Sequence, residues 1–395
     1  MQSLHITGGQ VLAEGALHAT DLVIEGDAIA GLGTGTARHR LDAADLLVLP
    51  GIVDIHGDAF ERQMQPRPGV DFPTELALAD TESQLLANGI TTAFHGVTLS
   101  WEPGLRSHAA WRRLLAALAA GRFLCDMRVH LRWEAFNLAA LDEALADIAA
   151  GRVHLLAFND HTPAILKKIA DPVSGAKYAE RAGMDLAAFR RLAEQVAARE
   201  AEVAPARLRL ADAARAAGLP MASHDDDTVA TRRHFRDLGA LVCEFPMAEA
   251  VGQAARAAGD AVVMGSPNVV RGGSHLGWAS AATLAEAGIC SVLSSDYFYP
   301  CLLRAPFILA GRGALGLAES WALVSANPAA AAGLHDRGAI ATGRRADLLL
   351  VDAGGAAPRL VATIAGGRLA WAGADAAERL SSPARSGRSG PRRRL

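Results

Sequence analysis

The sequence predicts an α/β protein: a (β/α)8 TIM barrel, with a small β-sheet accessory domain formed by both chain ends. Three observations carry this reading. From about residue 48 to 334, short apolar runs alternate with Ala-rich amphipathic stretches, the pattern of repeated β-α units on a parallel sheet. Eight such apolar runs occur, the number that closes a barrel. No GxGxxG turn follows an early run, which disfavours an open doubly wound sheet.

Taken in order, Leu4–Thr7, Asp21–Glu25 and Ala28–Leu32 are β-type runs separated by Gly or Asp, and Leu46–Leu49 runs into Pro50 and Gly51. The expected barrel strands are Ile52–Gly57, Thr91–Val97, Met127–Trp133, His154–Asn159, Pro220–His224, Leu241–Phe245, Ala261–Met264 and Ser291–Asp296. Leu114–Ala120, Leu138–Ala149 and Ala248–Ala258 read as helices between them. A long insertion, Asp160–Leu219, separates the fourth and fifth strands, and its later part, Asp185–Ala217, reads as one or two helices. Excursions of that length on the catalytic face usually carry substrate contacts or a lid. β character returns in Ala346–Val351 and Arg359–Trp371. The expected domains are 1–47 with 335–375 for the accessory sheet, 48–334 for the barrel, and 376–395 for a disordered basic tail of Ser, Gly, Pro and Arg.

Lys and Arg number 39 against 42 Asp and Glu, so a formal net charge of -3 gives no pull toward nucleic acid or an anionic membrane. Cys125, Cys243, Cys290 and Cys301 sit in apolar contexts without CxxC spacing, which implies a reducing compartment and excludes a thiolate zinc cluster. Met1–Gly9 lacks a basic region followed by an apolar stretch, and no apolar run approaches the roughly 18 residues of a membrane span. These features predict a cytoplasmic protein with a small-molecule substrate and no nucleic-acid or membrane partner, and leave room for a homo-oligomer.

Chemistry-bearing residues gather at the strand ends. Alternation along the first strand predicts Asp54, His56 and Asp58 on one face and Val53 and Ile55 on the other. A carboxylate two residues beyond a histidine offers two ligands to one cation; a hydrogen-bonded polar strand end is the alternative. On the third strand His130, Arg132 and Glu134 share a face, where charged groups are costly unless paired with one another or bound to a metal. The fifth strand ends in Ser223, His224, Asp225, Asp226 and Asp227, which suits a cation or, for part of the Asp run, the cap of the following helix. The eighth strand ends at Asp296. Two loops complete the rim. After the seventh strand, Arg271 with the amides of Gly272 and Gly273, followed by Ser274 and His275, could hold a phosphate. After the fourth strand come Asn159, Asp160, His161, Thr162 and Pro163.

Leu49–His56 and Gly338–Leu348 resemble the two ends of an amidohydrolase-superfamily chain. Gln65–Pro73, Asn159–Pro163, Ala222–Asp226, Gly265–Asn268, Arg271–His275 and Ser294–Tyr297 together resemble the PhnM family of the carbon–phosphorus lyase pathway. The resemblance implies a metal-dependent diphosphatase that cleaves alpha-D-ribose 1-methylphosphonate 5-triphosphate to the 5-phosphate and pyrophosphate. It implies one or two divalent ions (Zn, Mn or Fe). His56 and Asp58 fall on the first-strand metal pair, His224 on the fifth-strand ligand and Asp296 on the eighth-strand acid; Glu134 falls where some amidohydrolases place a glutamate ligand. The chain departs from the superfamily pattern in Asp58 of His56-Gly57-Asp58, in Glu244 where a sixth-strand histidine is common, and in a fourth strand without an evident lysine.

A divalent cation lowers the pKa of bound water toward about 7 and polarises a phosphoryl oxygen. Asp296 is the expected general base, and Arg67, Asp160, His161, Lys167, Arg271 and His275 are the expected substrate contacts; Lys168 beside Lys167 is a further cation. Two other readings share the fold: an amidohydrolase acting on an N-acyl or cyclic amide, and a noncatalytic metal-binding subunit of a phosphonate-processing assembly.

Overall fold

A computed structural model describes residues 3–67, 69–273 and 280–381. The chain divides into two compact units, Met1–Gly51 with Ala339–Leu395, and Ile52–Gly338.

In the larger unit the eight expected strands are present and parallel: Ile52–Gly57, Ile90–Leu99, Asp126–Glu134, Leu155–Asn159, Met221–His224, Val242–Glu244, Ala261–Gly265 and Val292–Ser294. They lie side by side in chain order. The first and eighth meet through a parallel bridge between Gly57 and Asp296, with the Asp296 amide donating to the His56 carbonyl at 3.0 Å and the Asp58 amide to the Asp296 carbonyl at 2.9 Å. Sequential order with first-to-last contact makes a TIM-like barrel rather than an open doubly wound sheet.

Val53, Ile55, Phe94, Leu155, Ala157, Ala222, Val242, Val263 and Val292 form one buried cluster, the side chains that fill the barrel. Outside the strands, Val129, Leu131 and Trp133 pack with Trp111 and Leu114 of the helix His108–Ala120 and with Leu141 of the helix Leu141–Ala149. The third strand therefore points its apolar set at the helices and leaves His130, Arg132 and Glu134 for the interior, as its alternation predicts.

The first strand does not follow simple alternation. Its pairing with the second strand slips between Asp54 and Gly57, so three residues of one strand oppose two of the other. Val53 and Ile55 join the barrel filling while His56 also turns inward, and the Asp54 carboxylate instead accepts from the Ser295 amide at 3.0 Å and hydroxyl at 2.5 Å. The expected shared face of Asp54 with His56 and Asp58 is thus corrected by the bulge.

The insertion is more helical than its sequence suggests. It forms Thr162–Ala170, Pro172–Arg181, Leu186–Ala197 and Glu200–Ala216, the middle pair started by Asp171 and Asp185 caps that accept from Ser174 and Ala188 amides. Short helices with few apolar residues hide their period, which is why only the later half was legible.

The smaller unit holds a five-stranded and a six-stranded sheet, each built from both chain ends. Leu348–Asp352 pairs with Leu47–Pro50, and Leu380–Ser381 pairs with His39–Asp42. The expected disordered tail begins too early: Ala374–Arg379 is a helix whose Ala376 is buried, and Arg379 donates to the carbonyl of Ala44 at 2.9 Å. Residues 382–395 lie outside the described residues. Among those described, no helix is long and apolar enough to cross a membrane.

Candidate metal and active site

The strand ends bring His56, His130, Arg132, His224, Glu244 and Asp296 together. Glu244 is fully buried, with His56 Nδ1 3.0 Å from its Oε1 and His130 Nε2 3.7 Å from its Oε2. His130 Nδ1 lies 3.1 Å from the Ile55 carbonyl oxygen, which can only accept, so Nδ1 carries the proton and Nε2 presents a lone pair. Burial pushes the His130 imidazole down to about 3 and holds His56 well below its ordinary value, Arg132 adding to the effect on His56. Both rings are therefore neutral. Neither Glu244 oxygen, nor His56 Nδ1, nor His130 Nε2 completes a hydrogen bond. The buried Glu244 carboxylate and the His130 Nε2 lone pair are costly without a partner, and a cation between them removes the cost. His56, His224 and Glu244 each offer a ligand atom, and these atoms lie within 4.8 Å of one another. A divalent cation fits this donor set.

Arg132 is buried beside it. Its Nη2 is 3.2 Å from His224 Nε2 and its Nη1 3.7 Å from Asp58 Oδ2. The alternative of an Arg132–Glu134 pair is not what forms. Glu134 turns to His161, accepting from its amide at 3.1 Å and contacting its ring Nδ1, and this contact holds the Glu134 carboxyl below its usual range against the opposing effect of burial. Both Glu134 oxygens so meet His161, and the carboxylate orients that ring.

The Asp run after the fifth strand divides three ways. Asp225 Oδ2 is 3.1 Å from His224 Nδ1, and His224 keeps its carboxyl low despite burial. Asp226 accepts from the Ser223 hydroxyl at 2.6 Å and from Arg232 at 3.2 Å, and Asp227 accepts from Thr231 at the start of the helix Val229–Asp237. Arg232 is itself buried and also faces Asp260 at 3.6 Å. Arg232→Met is expected to cost about 3–5 kcal/mol in urea unfolding, because buried Asp226 loses its cation while Asp260 keeps only Arg236. An unchanged midpoint would mean that the cluster is not what fixes this strand end.

Asp296 stands at the eighth-strand end with its carboxyl pushed up to about 7, by burial first and by Asp58 second. Gly265 makes room for it: a Cβ there would sit 2.9 Å from Asp296 Oδ2. Asp225 and Phe245, which directly follow the fifth and sixth strands, and Asp296, two residues past the end of the eighth, all have left-handed backbones, with φ of 58°, 52° and 56°. Strained non-glycine positions of this kind are held only by well-determined surroundings and cluster at functional sites.

The expected substrate contacts are scattered. Asp160 and His161 line a cavity of about 680 Å³ together with Arg207, His224, Asp225 and His234. A smaller cavity of about 110 Å³ lies on the other side of the His161–Glu134 pair and includes Arg106, Lys168 and Tyr178. Lys168, not Lys167, faces it; Lys167 is exposed one position round the helix Thr162–Ala170. Arg67 is exposed in the loop after the first strand. The phosphate-loop expectation fails for the glycine amides. Ser266–Arg271 is a helix, and the Gly272 and Gly273 amides close its end by donating to Val269 and Asn268 carbonyls at 3.2 and 3.0 Å. Arg271 is exposed on its last turn, and His275 lies outside the described residues.

Sequence reading left out His130 and Arg132 as site residues, although their strand face was plain, and missed Arg207, which the insertion delivers from far along the chain.

No family model matches the chain. It is 33% identical over 324 residues, 79% of this chain and 85% of the relative, to alpha-D-ribose 1-methylphosphonate 5-triphosphate diphosphatase of Escherichia coli (strain K12). Among solved structures, dihydropyrimidinase from Brevibacillus agri NCHU1002 is similar at a TM-score of 0.59 and 14% identity, over 93% of this chain and 95% of that one. N-acetylglucosamine-6-phosphate deacetylase from Pasteurella multocida is similar at 0.61 and 10% identity, over 94% and 100%. These two likenesses concern the fold.

Proposed function

Because the chain belongs to the alpha-D-ribose 1-methylphosphonate 5-triphosphate diphosphatase family of the amidohydrolase superfamily, we propose that it hydrolyses that triphosphate to the 5-phosphate and pyrophosphate. The observation that carries the choice of substrate is the 33% identity over 79% of the chain. The barrel alone serves many chemistries and supports a hydrolase of this superfamily without selecting the bond.

In this reading His56, His224 and Glu244 hold the cation, with Asp58 and Asp296 beside them. A divalent ion there supplies a water of lowered pKa and polarises a phosphoryl oxygen. Asp296 accepts the proton of the attacking water. A carboxyl at about 7 is poised for that exchange near neutral pH. Arg132, lodged between Asp58 and His224, faces the place where negative charge grows on the phosphorus, and meets it without leaving its position. The His161 ring, fixed by Glu134, sits on the wall shared with the wide cavity, where it orients the substrate. Attack at the phosphorus nearest the ribose breaks its anhydride bond and releases pyrophosphate.

Protein stripped by a chelator is expected to release no pyrophosphate from this triphosphate and to regain release on addition of Mn, Zn or Fe(II). Equal release before and after stripping would contradict metal dependence. Hydrolysis of an N-acyl or cyclic amide by the reloaded protein, with the triphosphate untouched, would instead favour the amide reading.

A further inference from the structure

The insertion brings to the site a cation that has no ion-pair partner among the described residues. Arg207 stands on the helix Glu200–Ala216, half-buried on the wall of the wide cavity that also holds His161 and His224. Its guanidinium carbon lies 5.3 Å from the centre of the Phe235 ring, and Phe235 stacks on Phe158 at 5.8 Å. A two-ring platform therefore sets its direction, and stacking leaves the five N–H donors at the guanidinium edge available. Among the described residues no carboxylate comes within ion-pair distance of it; Asp160 acts on it only from further away. Burial lowers its pKa, the mark of a guanidinium that has lost water without gaining a counter-ion. An arginine held this way is matched by an anion that arrives with a ligand.

The choice of anion follows from space and charge. The cavity of about 110 Å³ is too small for a furanose ring bearing a phosphonate, whereas about 680 Å³ falls within the range of roughly 300–1,000 Å³ usual for small-molecule sites. The wide cavity also carries Asp160 and Asp227. Carboxylates repel a polyphosphate but accept hydrogen bonds from sugar hydroxyls. A methylphosphonate ester bears a single negative charge, which one guanidinium meets with two parallel hydrogen bonds.

We propose that Arg207, seated on Phe235, is the specificity-determining contact for the methylphosphonate group at C1 of the sugar, at the end of the substrate away from the triphosphate. This rests on the triphosphate reading above, and it assigns the wide cavity to the ribosyl phosphonate.

The test compares two substrates, the 1-methylphosphonate 5-triphosphate and ribose 5-triphosphate without the phosphonate, in the metal-replete wild type, R207A and R207K. Wild type is expected to prefer the phosphonate-bearing substrate. R207A is expected to lower kcat/KM for it by about 10-fold or more, mainly through KM, and to collapse the preference, with R207K intermediate. A loss shared equally by both substrates, or no loss, would overturn the assignment while leaving the hydrolysis reading in place. Failure of the wild type to hydrolyse either triphosphate would overturn both.

Discussion

His56→Ala and His224→Ala are each expected to lose bound metal and hydrolytic activity together. Burial holds the His56 ring well below its ordinary pKa, and His56, His224 and Glu244 offer ligand atoms within 4.8 Å of one another. Removing either leaves too few donors to close a site around one ion. The loss in affinity should exceed the roughly 10–100-fold that follows removal of an outer partner of a metal ligand. Metal content after dialysis, measured by elemental analysis, checks this independently of turnover. Full metal content in both variants would remove this triad from the metal role. The larger unit should stay folded, because the barrel filling of Val53, Ile55 and the facing valines does not depend on either ring.

Asp296→Asn separates base chemistry from binding. The amide keeps the shape beside Gly265 but accepts no proton, so turnover is expected to fall by about 100-fold or more while metal content holds. The pH profile supplies the sign. Burial and Asp58 raise the Asp296 carboxyl to about 7, and its active form is the deprotonated one. Activity should therefore rise with pH through that region, and a bound cation, which favours the carboxylate, moves the rise to lower pH. In Asp296→Asn that limb should vanish. A profile unchanged in shape, with near-normal turnover, would assign the proton to another group.

Most of the fold was legible because strand and helix periods differ, and all eight barrel strands sit where apolar runs stand in the sequence. What was lost lies where period stops carrying information. The bulge between Asp54 and Gly57 adds one residue to a strand and sends Asp54 to Ser295, a change invisible to simple alternation. The glycines after Arg271 look like a phosphate loop, but the same residues end a helix, and only the hydrogen bonds of their amides tell the two apart. His224 and Asp296 stood out as polar groups at strand ends, whereas the contact of Glu134 with His161 is set by the path of the next loop and is not readable from the strand. Arg207 could not be placed at all from sequence, because its role depends on how a long insertion folds back over the fourth and fifth strands.

The central claim, hydrolysis at the phosphorus nearest the ribose, is tested most directly by running the metal-replete reaction in water enriched in oxygen-18. The products are then read by phosphorus NMR and mass spectrometry. Attack at that phosphorus places the label in the ribosyl 5-phosphate and leaves pyrophosphate unlabelled. Label in the pyrophosphate, release of orthophosphate in its place, or no cleavage of the triphosphate would contradict it.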